Sequence, residues 1–145
     1  RDNGGGLTSE SIDIADYLLP ACKIMSENTK DGTETVYNSK ASAADIEYVV
    51  LTNVNTASAS EILAGAIQDN KGGLIIGEKT YGKGVVQNSY DLSGGTKLKV
   101  TTASWYTPKD RSINKEGITP DVGVERSYED INAMRDPQLD KAKKL

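Results

Sequence analysis

The sequence predicts an α/β fold: a partly parallel sheet flanked by helices around a βαβ core, with a β-rich extension behind it. Three observations predict it. Residues 47–52, Glu-Tyr-Val-Val-Leu-Thr, form a nearly continuous β-rich run, the pattern of a buried strand. Over residues 57–69, Ala59, Ile62, Leu63, Ala66 and Ile67 fall at i, i+3, i+4, i+7 and i+8, one core-facing stripe of a helix. Gly73-Leu74-Ile75-Ile76-Gly77 is a second short apolar run. Strand, helix, strand over residues 47–77 is a βαβ unit, which implies parallel pairing and a right-handed crossover.

The other elements follow in chain order. Gly4, Gly5 and Gly6 make a loop able to approach another group closely or to take positive φ. A helix is expected over residues 8–19, capped by Thr8 or Ser9 and ended by Pro20. Residues 22–26 and 34–38 read as short strands around a Lys30-Asp31-Gly32 turn. Gly65, inside the central helix, costs about 1 kcal/mol relative to alanine, which predicts close packing against another backbone. Residues 84–90 and 96–106 predict a hairpin joined at Ser93-Gly94-Gly95. Turns follow at Thr107–Asp110 and Gly117–Asp121, and residues 136–145 predict a last amphipathic helix. No repeat, low-complexity tract or interdomain linker interrupts the 145 residues, which make one domain.

Composition narrows the chemistry. Phenylalanine is absent, so core volume has to come from Ile, Val, Leu, Tyr and the single Trp. With a net charge of −4 and no long basic block, phosphate-driven nucleic-acid binding is excluded as the role. The lone Cys22 excludes an internal disulfide framework and a multi-cysteine zinc site. No apolar run is long enough for a membrane-spanning helix. The abrupt opening, Arg1-Asp2-Asn3-Gly4-Gly5-Gly6, reads as a boundary within a longer chain.

The chain has no histidine at all. A Ser-His-Asp arrangement is therefore impossible, and a nucleophilic serine would need another base. Lysine can serve, because burial beside other groups tunes an ammonium toward neutral pH. Ser58 opens the central helix directly after a buried strand, and Lys83 lies 25 residues later between two glycines. At a helix start, free N–H groups and the positive dipole end lie beside the serine hydroxyl, and the Ala59 N–H would donate to an oxyanion. The bland readings are that Thr56, Ser58 and Ser60 cap a helix, and that Lys83 is a solvated loop residue.

Neighbouring residues invite chemical readings too. Gly77-x-x-x-x-Gly82-Lys83-Gly84 falls short of a phosphate-binding loop. Gly84 stands where Ser or Thr must hold magnesium, and Val85-Val86 favours a strand over a helix. Gln87, four positions past Lys83, would lie on the same face of a regular strand, with Cα atoms about 13 Å apart. A bend at Gly84 would bring the two side chains together, and Gln87 could then orient the lysine amine. Asp69 would sit about 16 Å along the helix from Ser58, too far for a direct partner, and reads as a capping or structural residue.

Taken together, these segments resemble the carboxy-terminal processing peptidases, or tail-specific proteases. The opening Arg1-Asp2-Asn3-Gly4-Gly5-Gly6 is similar to that family's Arg-x-Asn-x-Gly-Gly loop. Thr56-Ala57-Ser58-Ala59-Ser60-Glu61 is similar to its Ser-Ala-Ser-Ala-Ser-Glu segment, with threonine in the first place. Tyr81-Gly82-Lys83-Gly84-Val85-Val86-Gln87 resembles Phe-Gly-Lys-Gly-x-Val-Gln, and Tyr106-Thr107-Pro108 and Gly117-Ile118-x-Pro120-Asp121 also match.

The resemblance implies a crotonase/ClpP-like core and a serine endopeptidase that cuts protein substrates near apolar carboxy-terminal tails. Ser58 would be nucleophile, Lys83 general base and Gln87 its orienting partner. The Ala59 N–H would form the oxyanion hole with that of Gly5 or Gly6. No metal or cofactor is implied. Location outside the bacterial cytoplasm, in the periplasm or at the cell surface, is expected. Residues 1–145 would be the carboxy-terminal portion of the catalytic domain, without its upstream strands and the PDZ domain that binds substrate tails. Alone, the piece is expected to be weakly active or inactive and to associate with a second copy through an exposed sheet edge. The competing reading is a catalytically inactive binding or scaffold module on the same fold.

Overall fold

The structure, a computed structural model, describes residues 1–40 and 43–145. The expected βαβ unit is present: β3 (Val49–Thr52), α2 (Ala59–Asp69) and β4 (Leu74–Gly77) follow helix α1 (Thr8–Leu18) and strands β1 (Lys23–Thr29) and β2 (Glu34–Asn38). The hairpin β5 (Val85–Asp91) and β6 (Lys97–Tyr106) comes next, then β7 (Val122–Gly123), α3 (Tyr128–Asn132) and α4 (Pro137–Ala142). The strands form two sheets. A parallel sheet of order β3-β4-β7 pairs Val49 with Leu74 and Thr52 with Gly77. An antiparallel sheet has the order β2-β1-β6-β5.

The α2 helix lies at the centre and is buried on more than one stripe. Besides Ala59, Ile62, Ala66 and Ile67, it buries Glu61, Ala64, Gly65 and Asp69. Around it gather Leu19, Ile24, Met25, Ile75, Trp105, Ile113 and Ile118. Among the described residues no tyrosine or valine is fully buried in the core, so Ile, Leu, Met, Ala and Trp supply the volume expected from a wider set. Tyr37, Tyr48, Val50 and Val86 pack against this core only partly buried.

Several local expectations are corrected. Neither Thr8 nor Ser9 caps α1: the N-cap position is Leu7, with no side-chain hydrogen bond. A Cβ on Gly65 would meet the side chains of Thr107 and Ile118 at 3.2 and 3.3 Å, so side chains, not a second backbone, require the glycine. The two-residue β7 and the one-turn α3 went unforeseen. The turn over residues 117–121 extends the parallel sheet. Asp121 accepts from the Ile75 N–H at 2.8 Å and donates its own N–H to Ile75 O at 2.8 Å.

Candidate active site

Ser58 stands where the β3–α2 turn enters the helix, with φ 58° and ψ −122°. An ordinary serine cap has extended backbone at negative φ, whereas this conformation is strained for a residue with a Cβ. Neighbouring segments hold it there. The Ala57 N–H donates to Asn3 O at 3.0 Å, and the Ser58 N–H donates to Glu61 Oε2 at 2.9 Å. The Ser11 hydroxyl, from α1, donates to Ala59 O at 2.7 Å in the interior. The Glu61 N–H donates to the Ser58 carbonyl at 2.8 Å.

The opening glycine loop presses directly on this turn. Gly5 has φ +96°, and a Cβ on it would lie 2.7 Å from Ala57 O, 2.8 Å from Ser58 Cβ and 2.9 Å from Ala59 N, so no other residue fits. The two candidate glycines differ in their amides. The Gly5 N–H donates to Asn3 Oδ1 at 3.0 Å. Among the described residues, the N–H groups of Gly6 and Ala59 have no acceptor in the protein. Of these two glycines, Gly6 therefore carries the free donor.

Lys83 is fixed by its backbone. Its N–H donates to Glu61 Oε2 at 2.9 Å and its carbonyl accepts from Trp105 Nε1 at 3.0 Å. Gly84 lies so close to Asn114 that a Cβ would be 2.7 Å from its N and 2.8 Å from its Cβ. The regular-strand relation between Lys83 and Gln87 does not hold. Lys83 precedes β5, and the β5–β6 register shifts between Val86 and Gln87. The irregularity turns Val85, Val86 and Gln87 all toward one cleft of about 230 Å³, which Ser58, Lys83, Gly6 and Trp105 also line. Among the described residues no hydrogen bond joins the side chains of Ser58 and Lys83, or of Lys83 and Gln87; Gln87 Nε2 donates to Thr101 Oγ1 at 3.3 Å.

Two contributors were missed at the level of sequence. The Glu61 side chain is fully buried and accepts from four donors: Ser58 N–H, Lys83 N–H, Gly82 N–H at 2.7 Å and the Thr80 hydroxyl at 2.5 Å. It ties the turn that carries Ser58 to the loop that carries Lys83. Its signal was present, since Ser58-x-x-Glu61 is a capping-box spacing. Lys99, on β6, lines the same cleft as Lys83. Asp69 takes no part here. It is buried and holds the turn after β6 by accepting from Lys109 N–H at 3.0 Å and pairing with Arg111. Elsewhere, the Arg1 guanidinium grips both carboxylate oxygens of Asp136 at 2.8 and 2.7 Å and holds that carboxyl down at a pKa of about 2.

Comparison with known proteins gives this geometry its relatives. The profile of peptidase family S41 matches residues 1–124. A carboxyl-terminal-processing protease of Synechocystis sp. is 44% identical over 98% of this chain and 34% of its own length. The chloroplastic carboxyl-terminal-processing peptidase 2 of Arabidopsis thaliana is 44% identical over 88% of this chain and 25% of its own. Among solved structures, a photosystem II D1 C-terminal processing protease superposes with a TM-score of 0.78 at 41% identity, over 86% of this chain and 33% of that one. The chain thus spans about a quarter to a third of the length of these relatives.

Proposed function

The chain belongs to peptidase family S41, and we propose that it is the catalytic portion of a serine endopeptidase of the carboxy-terminal processing type. Ser58 Oγ attacks the scissile carbonyl, and Lys83, as the free amine, takes the hydroxyl proton and returns it to the leaving nitrogen. The oxyanion is received by the N–H groups of Ala59 and Gly6. Gln87 uses its amide nitrogen on Thr101, which leaves its carbonyl oxygen to accept from the Lys83 ammonium and orient it. The substrates proposed for the whole protein are polypeptides cut near their carboxy termini, as the names of the relatives describe, in an extracytoplasmic setting.

The observation that carries this reading is the backbone of Ser58. A helix cap needs no positive φ, yet Ser58 holds φ 58° beside two N–H groups without an acceptor among the described residues. Strain of about 1–3 kcal/mol at one residue persists only where surrounding contacts over-determine it, and such residues cluster at active sites. In the full-length enzyme, Ser58→Ala and Lys83→Ala are each expected to abolish peptide cleavage while the far-UV dichroism stays unchanged. A serine-reactive phosphonate should label the parent and not Ser58→Ala. Turnover near the parent rate in Lys83→Ala would remove the mechanism.

A further inference from the structure

We infer that Asp136, the residue that opens α4, is a positioning residue for the oxyanion loop: through Arg1 it holds the backbone that leads to the Gly6 N–H. The inference rests on the proposed role of Gly6 as an oxyanion donor and adds a support to it. α4 lies beyond residues 1–124, the stretch that the family profile matches. It is nonetheless joined to the first residue of the glycine loop. The Arg1 guanidinium donates to both carboxylate oxygens of Asp136, at 2.8 and 2.7 Å, and to Gln138 Oε1 at 3.0 Å.

The far end of this contact is itself anchored. Asp136 is the N-cap of α4, with Pro137 at the first helical position, and its Oδ1 also accepts from the Leu139 N–H at 3.0 Å. A planar guanidinium fork on a planar carboxylate fixes direction as well as distance, which a single ammonium would not do. Gln138 is 1% exposed and donates from Nε2 to Val124 O at 2.8 Å. The Val124 N–H in turn donates to Gly77 O at 2.9 Å, at the end of β4. Arg1 thus bridges two elements, since its backbone nitrogen donates to Leu51 O of β3 at 3.0 Å.

Between Arg1 and Gly6 the chain is a strap under strain. Asp2 has φ 55°, a conformation that a residue with a Cβ keeps only where its contacts over-determine it. Its N–H donates to Asn53 Oδ1 at 3.0 Å, and its Oδ1 accepts from the Nδ2 groups of Asn53 and Asn55 at 2.8 and 3.0 Å. Asn3 O then receives the Ala57 N–H, and Gly5 abuts Ser58. These bonds all go to the β3–α2 turn, whereas the Arg1 guanidinium is held from α4. Without the Asp136 grip, Asp2 can relax toward an ordinary φ, and the strap carries the Gly6 N–H away from the point it shares with the Ala59 N–H. Charge on the oxyanion develops only in the transition state, so a displaced donor lowers kcat and kcat/KM together and leaves KM alone.

The test is the kinetics of fluorescein-labelled β-casein cleavage by the full-length protein in the parent, Asp136→Ser, Arg1→Met, the double variant and Ser58→Ala. Serine still caps α4 but cannot grip a guanidinium, so Asp136→Ser separates capping from positioning. It should lower kcat and kcat/KM together by about 10–100-fold, the scale of a small misplacement at the reacting atoms. KM and the titre of phosphonate-reactive sites should stay at the parent's values. Arg1→Met should do the same, and the double variant should be no slower than the slower single one, because both remove one contact. Should Arg1→Met fail to fold, Arg1→Lys, which keeps the charge and loses the fork, takes its place in the cycle. Parental kcat in Asp136→Ser, losses that multiply in the double variant, or a change in KM alone overturns the positioning role and leaves the Ser58–Lys83 mechanism standing. Absence of parental cleavage, or cleavage that persists in Ser58→Ala, overturns that mechanism and the positioning role with it.

Discussion

Replacing Glu61 by glutamine tests whether one buried carboxylate links Ser58 and Lys83, the proposed nucleophile and base. The two side chains have the same shape, so the change turns one acceptor oxygen into an NH₂ donor without opening a cavity. Oε2 serves two backbone amides, Ser58 and Lys83, while Oε1 serves the Gly82 amide and the Thr80 hydroxyl. An NH₂ in the Oε2 place would orphan two buried amides at about 1–3 kcal/mol each. In the Oε1 place it orphans one backbone amide, Gly82 N–H, and turns the Thr80 hydroxyl, which also receives Ile118 N–H at 2.7 Å, from donor to acceptor. The second arrangement should win. The cost is then one orphaned amide plus the weakening of charge-assisted bonds, about 2–4 kcal/mol together. The Ser58 and Lys83 ties survive in it. Glu61→Gln should therefore lower the urea midpoint clearly yet keep measurable turnover, whereas Glu61→Ala, which cuts every tie, should lose both. The measurements are urea unfolding and peptide cleavage in the full-length protein. A Glu61→Gln variant within about 0.5 kcal/mol of the parent and fully active would refute the reasoning.

Gly5→Ala should lower turnover by about 10²–10³-fold, the loss typical of one oxyanion donor, because a Cβ at φ +96° has to push the loop and Gly6 away from Ser58; steady-state kinetics read this. The Asp136 carboxyl is depressed from 3.8 to about 2 by Arg1, so its contribution to stability is present above pH 4 and is lost as pH falls toward 2. Asp136→Asn should flatten that acid limb in a plot of melting temperature against pH, and parallel curves for the two proteins would count against it. Residues 1–145 expressed alone should self-associate in light scattering and cleave more slowly than an upstream-extended chain. The reason is that, among the described residues, β3 has a strand partner on one side only, with Val49 37% and nearby Ile46 51% exposed. A fully active monomer would contradict this.

The βαβ unit and the hairpin were legible because their signals are local. Periodicity in Ala59–Ile67 and β-rich runs at 47–52 and 73–77 depend on neighbours in sequence. The α3 turn escaped although Ser127-x-x-Asp130 is a capping box whose reciprocal bonds are made at 3.1 Å each. Five helical residues carry too little periodicity to stand out. The two-residue β7 exists only because β4 offers an edge beside it. Residue types at the site were equally visible, since an absent histidine and a glycine-flanked lysine need no structure. Which of Gly5 and Gly6 keeps an unpaired N–H was not visible, because it depends on where the Asn3 side chain goes. Gln87 was expected to share a strand face with Lys83; the register shift at Val86/Gln87, which no sequence rule announces, brings it to the cleft instead.

Ser58 shows why the site is a tertiary property of the chain. Left to itself, a serine at a helix start relaxes to an extended cap. Here residues from three distant segments converge on positions 56–61, and a fourth braces them at one remove. Asn3 accepts from Ala57, and Ser11 bonds Ala59 O from α1. Tyr81 N–H reaches Thr56 O at 3.0 Å, and Glu61 gathers Thr80, Gly82 and Lys83. Thr80 in turn receives Ile118 N–H from the Gly117–Asp121 turn. Each bond is worth only about 1 kcal/mol net, but together they exceed the strain at one residue. The motifs at 1–6, 56–61, 81–87 and 117–121, far apart in sequence, are thus parts of one restraint on the Ser58 backbone. Loosening any of them should first appear as a fall in turnover, because a small relaxation of Ser58 misplaces its hydroxyl long before the core around Trp105 and Ile67 opens.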